Sequence, residues 1–192
     1  MITLAQEFYA EIKNMFFQQA NATDFSYSEE FDVVFSNAVL HWVKDHVAVL
    51  ENCYRGLRRG GKVLLQMGGK GNAQEFIDVV TDVTRKEKWK NYFKHFIFPF
   101  SFYTTQNYET WLKNAGFKSN RIELIHKDMQ HTGAEGLAGW FRTSWMPYTG
   151  KLPENQREEF IHDVVETYLK THPVDNAGKT HVTMVRLEVE AV

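Results

Sequence analysis

FDVVFSNAVLHWVKDHVAVLENCYRGLRRGGKVLLQM, residues Phe31–Met67, changes its hydrophobic period twice. Phe31–Ser36 (FDVVFS) is a near-continuous apolar run rich in β-branched and aromatic residues, the pattern of a strand buried on both faces of a parallel sheet. From Val43 the spacing turns helical, with Val43, Val47, Leu50, Tyr54 and Leu57 on one face. Arg55, Arg58 and Arg59 would sit in the last turn, favourable against the helix dipole, and Gly60-Gly61 stops the helix. Lys62–Met67 (KVLLQM) then returns to the buried-strand pattern. Strand, helix and strand in so short a span make a βαβ crossover, expected to be right-handed. The chain is read as α/β.

Working outward, residues 2–13 predict a short amphipathic helix, and Met15–Ala20 a short strand before the polar loop NATDFSYSEE. Downstream, helices are expected over 73–89, Thr105–Ala115 (stopped by Gly116), Ala134–Trp145 and a long stretch opened by Leu152-Pro153-Glu154. Further strands are expected at Arg121–His126 and, after the DNAGK turn, at Thr180–Val189. No repeat or interdomain linker interrupts the pattern, so residues 1–192 read as one domain.

Composition excludes several classes. With 22 basic against 24 acidic residues there is no electrostatic footprint for nucleic acid. The lone Cys53 rules out an internal disulfide and a cysteine-based zinc cluster. The spacings of His126, His131 and His162 match no metal-ligand motif, so no metal is expected. No apolar run reaches the roughly 20 residues of a membrane span, and the first residues lack a signal-peptide core. The expected location is cytoplasmic. The 15 Phe, eight Tyr and five Trp exceed what a minimal core needs. Two aromatic segments, near 90–104 and 134–150, are candidate lids over a pocket.

Ligands of open α/β sheets bind at the carboxyl ends of strands. Two such ends stand out: Asn21-Ala22-Thr23-Asp24 after the first strand candidate, and Asn37-Ala38-Val39-Leu40-His41-Trp42 after Phe31–Ser36. Asn37 could meet a ligand or merely cap the turn. His41 could act in a site or be a packed histidine beside a helix.

The run FDVVFSNAVLHWVKDH…LRRGGKVLLQM resembles the fourth strand, following helix and fifth strand of class I S-adenosylmethionine-dependent methyltransferases, and more narrowly the trans-aconitate methyltransferase group. GLAGWFRTSWMPYTGKLPENQREEFIHDVVETYLKTHP and VDNAGKTHVTMVRLEVEA extend the resemblance to the carboxyl terminus. The resemblance implies a Rossmann-like methyltransferase sheet with helices on both faces, and S-adenosylmethionine as cofactor. It places Asn21 where an acid usually accepts from the adenine amino group, with the Ala22 backbone beside the ring. Asn37 and Ala38 would line the methionine side, and His41 and Trp42 would lie near the sulfonium and the acceptor. The family's glycine-rich loop and its ribose-binding acid have no counterpart here; Gly68-Gly69-Lys70-Gly71 follows the wrong strand. The sheet is therefore expected to be N-terminally truncated, its first two strands missing.

The expected reaction is methyl transfer to an oxygen of a small carboxylic acid or similar metabolite. A carboxylate is already ionised at neutral pH, so no catalytic base is required, and none is assigned. Trp140, Arg142, Trp145 and Tyr103 are the expected substrate contacts, with Arg142 as a bidentate partner for an acidic substrate. The alternative is a non-catalytic truncated methyltransferase-like protein that folds by self-association. The strand edge left bare beside Phe31–Ser36 points to a homodimer through residues 1–37.

Overall fold

The computed structural model describes residues 2–192; Met1 lies outside them. In chain order the elements are α1 (Ile2–Phe8), β1 (Phe31–Asn37), a 3-10 turn (Leu40–Trp42), α2 (His46–Gly56), β2 (Leu57–Gly68), α3 (Gln74–Arg85), α4 (Thr105–Ala115), β3 (Ser119–Thr132), α5 (Gly133–Ser144), α6 (Met146–Thr149), α7 (Glu154–Leu169) and β4 (Lys179–Ala191). The four strands form one sheet in the order β1-β2-β4-β3. β1 and β2 are parallel, and β4 runs antiparallel to both of its neighbours. The α/β reading, the βαβ unit and the shared sheet are therefore as expected.

Four local expectations are corrected. Met15–Ala20 forms no strand, because no neighbouring strand offers it a ladder; it runs as loop, with the Tyr27 hydroxyl donating to Gln18 Oε1 at 2.7 Å. The first helix stops at Phe8 and passes into turns, with Tyr9 N donating to Ala5 O and Ile12 N to Tyr9 O. Arg58 and Arg59 lie in β2 rather than at a helix end, because α2 already stops at Gly56. Pairing with β1 jumps from Phe31↔Leu57 to Val33↔Lys62, and Gly60 absorbs that bulge at φ 79°. Finally, β1 is not buried on both faces: Val33 is 45% and Phe35 69% exposed. Val34 alone of its apolar centre packs against the core beside α2.

Alternation along paired strands explains where the helices sit. One face carries Val63, Leu65 and Met67 of β2 with Leu187, Val189 and Ala191 of β4, covered by Val49, Leu50 and Cys53 of α2 and Tyr108 and Leu112 of α4. On the opposite face, Val182 with Met129 and Met184 packs under α3, α5 and α7. The first core covers the Ala191 end of β4 and the second covers its Lys179 end. On the second face, the Ala191 end is left open around Leu64, Gln66, Arg186 and Glu188.

Phe76 is the hub of the second core, fully buried with ring centroids 5.1–5.6 Å from Trp140, Phe141, Trp145 and Tyr168. Phe76→Ala is expected to cost about 3–5 kcal/mol, because four neighbouring rings cannot collapse into the space. Urea unfolding monitored by near-UV dichroism measures it; a loss below about 1 kcal/mol would show that this core repacks freely.

Candidate functional site

Where β1 ends, the backbone turns sharply. Ala38 adopts φ 55°, unusual for a residue with a Cβ, while its N–H donates to Gln66 O at 2.8 Å. The turn leaves Asn37 exposed at the strand's carboxyl end and starts the 3-10 turn that carries His41 and Trp42. The His41 carbonyl accepts from Ser101 N at 2.7 Å, tying this turn to the aromatic segment after α3. Trp42 packs on Phe100 at 4.6 Å, and Phe100 stacks on Phe102 at 5.5 Å and 9°. Gly68 makes this possible: a Cβ there would lie 2.6 Å from the Phe102 ring. The glycine cluster after β2 thus serves close packing.

These elements surround a cavity of about 690 Å³ at the carboxyl ends of β1 and β2. Asn37, Ala38, His41 and Trp42 border it on the β1 side, and Trp140, Thr143 and Ser144 of α5, with Trp145 directly after it, form another wall. Its floor is the sheet itself, through Gln66, Lys127, Met184 and Arg186. Of the expected site residues, the structure brings together Asn37, Ala38, His41, Trp42, Trp140 and Trp145.

The others sit elsewhere. Asn21 Oδ1 accepts from the backbone N–H and hydroxyl of Thr23, both at 3.0 Å, and Ala22 packs toward the α2–α4 core. The Tyr103 hydroxyl donates to Lys44 O at 2.8 Å, and its ring lies against His46 and Trp111. Arg142 does not face the cavity. It clamps Glu158 of α7 with Nε at 2.8 Å and Nη2 at 2.6 Å, with Glu135 at 3.5 Å from Nη1. The Glu158 carboxylate raises the guanidinium pKa further, and the guanidinium in turn holds the Glu158 carboxyl below its usual range. Sequence reasoning passed over Lys127 and Arg186. The available signal was alternation, which sets Lys127 with Met129 on one face of its strand, and the single basic residue inside the apolar run VTMVRLEV.

Two histidines beside the cavity are neutral for structural reasons. His41 Nδ1 accepts from Gly68 N at 3.3 Å, so its proton resides on Nε2. Burial, and secondarily the nearby His46, lowers its pKa. Buried His46 donates from Nε2 to Leu40 O at 2.7 Å and accepts at Nδ1 from the Tyr108 hydroxyl at 2.6 Å. With that proton committed, the Tyr108 contact to Met67 Sδ at 3.1 Å is packing. Burial lowers the His46 pKa more than its carbonyl contacts raise it. His181 behaves oppositely. It bridges Asp175 from Nε2 at 3.0 Å and Asp128 from Nδ1 at 2.9 Å, and those carboxylates raise its pKa.

The matched family description is "methyltransferase domain", over residues 1–65. The chain is similar to a trans-aconitate 2-methyltransferase of Rhizobium etli, 26% identical over 186 residues covering 92% of this chain and 69% of the relative. It is 30% identical over 179 residues to an uncharacterised methyltransferase of Schizosaccharomyces pombe, covering 85% of this chain and 63% of that one. Among solved structures it superposes on phosphoethanolamine N-methyltransferase 2 of Haemonchus contortus, which holds S-adenosylhomocysteine, with TM-score 0.54 and 21% identity. That match covers the whole of this chain and 41% of the other.

Resolved histidine titrations should separate the two groups about the ordinary value of 6.5, with His41 and His46 below it and His181 above. The linkage runs both ways. Folded His41 and His46 resist protons that the unfolded chain accepts, so they cost stability as pH falls below 6.5. His181 adds stability that is fully present below 6.5 and is lost as pH rises through its raised value. Heteronuclear NMR against pH reads each ring; His46 titrating above His181 would refute the assignment of hydrogen bonds.

Proposed function

We propose that this chain is a class I S-adenosylmethionine-dependent methyltransferase and that it methylates a carboxylate oxygen of a small organic acid. The observation that carries this reading is the cavity's floor: Lys127 and Arg186 face it while no acidic side chain on the same strands reaches in unpaired. Asp128 borders the cavity, but alternation turns its carboxylate to the other face, where His181 and Gln130 hold it. The similarity to a trans-aconitate methyltransferase agrees with an acidic substrate.

S-adenosylmethionine supplies, when bound, a methyl group on a positively charged sulfur that leaves with the carbon–sulfur electron pair. The β1 side of the cavity fits its methionine end: Asn37 is exposed with no side-chain partner among the described residues, and Ala38 leaves room beside it. The adenosyl half finds no counterpart among the described residues, because Asn21 is committed to Thr23 and lies outside the cavity. The residues present therefore account for the acceptor and the donor's methyl end only. His41, protonated on Nε2 and neutral, can donate a hydrogen bond to an acceptor oxygen without competing for a proton. Trp42, Trp140 and Trp145 exclude water from the acceptor and restrict its orientation. No group of the chain has to remove a proton, because the acceptor is already an anion at neutral pH.

Incubation with S-adenosylmethionine and small mono- and polycarboxylic acids is expected to yield methyl esters detectable by mass spectrometry. Initial rates should stay level between about pH 7 and 8.5, where the acceptor is fully ionised. Products methylated on nitrogen or hydroxyl oxygen, or a rate rising about tenfold per pH unit, would sink the proposal.

We also propose self-association through the bare edge of β1. Exposed apolar side chains concentrate in the first 42 residues, with Phe8 75%, Phe16 88% and Phe35 69% exposed. An antiparallel β1–β1 pair centred on Val34 sets Val33 opposite Phe35 of the second copy and Asp32 opposite Ser36, with no like charges facing. Each apolar cross-strand pair adds roughly 0.2–1 kcal/mol to the ladder hydrogen bonds. Sedimentation equilibrium at tens of micromolar should show a dimer that Phe35→Lys dissociates. A clean monomer near 22.5 kDa would refute this.

A further inference from the structure

The segment between α3 and α4 reaches the cavity without regular structure of its own. Residues 96–102 belong to no helix or strand, yet Phe100 and Phe102 line the cavity and Ser101 is buried. Aromatic packing draws this segment inward: Phe100 lies 4.6 Å from the Trp42 ring and 5.4 Å from that of Trp145, while Ile97 stays 81% exposed. Hydrophobic attraction is non-directional, so it fixes neither the depth nor the register of such a segment. Directed bonds have to do that, and they converge on one short stretch of chain.

Lys44, between the 3-10 turn and α2, makes three of them. Its ammonium donates to Phe98 O at 2.9 Å and to Phe100 O at 3.0 Å. Its own carbonyl accepts from the Tyr103 hydroxyl at 2.8 Å. One residue thus grips the segment on both sides of Ser101, whose N–H donates to His41 O at 2.7 Å. An ammonium carries several donors, which lets it serve two carbonyls at once, and its charge strengthens each bond. Without it, the carbonyl of buried Phe100 has no other partner among the described residues.

On the reading of the preceding subsection, we infer that Lys44 is a positioning residue for methyl transfer. It does not line the cavity; it sets Phe100 and Phe102 at the depth where, with Trp42, they orient the acceptor. Once the clasp is lost, the segment is free to leave the Trp42 ring and admit water. The methionine end of the cofactor rests on Asn37 and Ala38 rather than on this segment, so the loss falls on turnover more than on cofactor binding.

The test compares Lys44→Met, which keeps the apolar stem and removes the donors, with Lys44→Arg, which restores them. Exchange of the Ser101 amide, resolved by NMR on the whole chain without ligand, should accelerate at least about tenfold in Lys44→Met, while the amides of α2 and α3 keep their wild-type rates. Lys44→Arg should return it toward the wild-type rate. In methyl-ester formation, Lys44→Met should lower kcat at least about tenfold with KM for S-adenosylmethionine within about twofold, and Lys44→Arg should recover most of the rate. A Ser101 amide that stays protected in Lys44→Met, or acceleration shared by every helix, overturns the clasp. Faster Ser101 exchange with kcat unchanged overturns the positioning role. A wild-type chain that forms no methyl ester overturns the preceding reading and this role within it, and the exchange data then still decide whether Lys44 holds the segment.

Discussion

Backbone hydrogen bonding along β4 holds the layers of this protein in register. Its thirteen residues pair with all of β3 on one side, and its second half pairs with β2 on the other. Over that second half both rows of polar groups are satisfied, and along the whole strand alternate side chains are committed to opposite faces. Leu187, Val189 and Ala191 go to the core beneath α2 and α4, while Val182 and Met184 go to the core beneath α3, α5 and α7. The staggered coverage that results leaves part of one face open, and the cavity lies where covered and open sheet meet.

Legibility of the sequence followed the range of the interaction concerned. Thr105–Ala115 could be read to its exact bounds because its signals are local: Thr104 and Asn107 close a capping box at one end and Gly116 ends the other. β3 was read too short because its apolar pattern fades after His126 while its ladder continues through Lys127 to Thr132 opposite β4. β1 has the composition of an enclosed strand, but composition states only what a strand tolerates. Whether anything covers Val33 and Phe35 depends on other segments. The absence of a ladder at Met15–Ala20 is of the same kind.

The candidate site divides along the same line. Asn37, Ala38, His41 and Trp42 are contiguous, and a strand end followed by a turn brings them to one rim without help from distant residues. Arg142 was misplaced for the converse reason. Its partner Glu158 lies sixteen positions away on another helix, and nothing within the lid segment reveals it. The two basic residues that do reach the floor belong to strands separated by three helices, and only the β3–β4 register unites them.

The placement of the cavity between two cores has a thermodynamic consequence. The unit containing α2 and α4 and the unit containing α3, α5 and α7 each pack their own apolar side chains, so each can open locally with its own free energy. A molecule resting on Asn37 and His41 from the first and on Trp140 and Trp145 from the second touches both units at once. Occupancy then reinforces the link that Phe100 makes between Trp42 and Trp145, and the amides of α5 and of the β1 turn gain protection from exchange together.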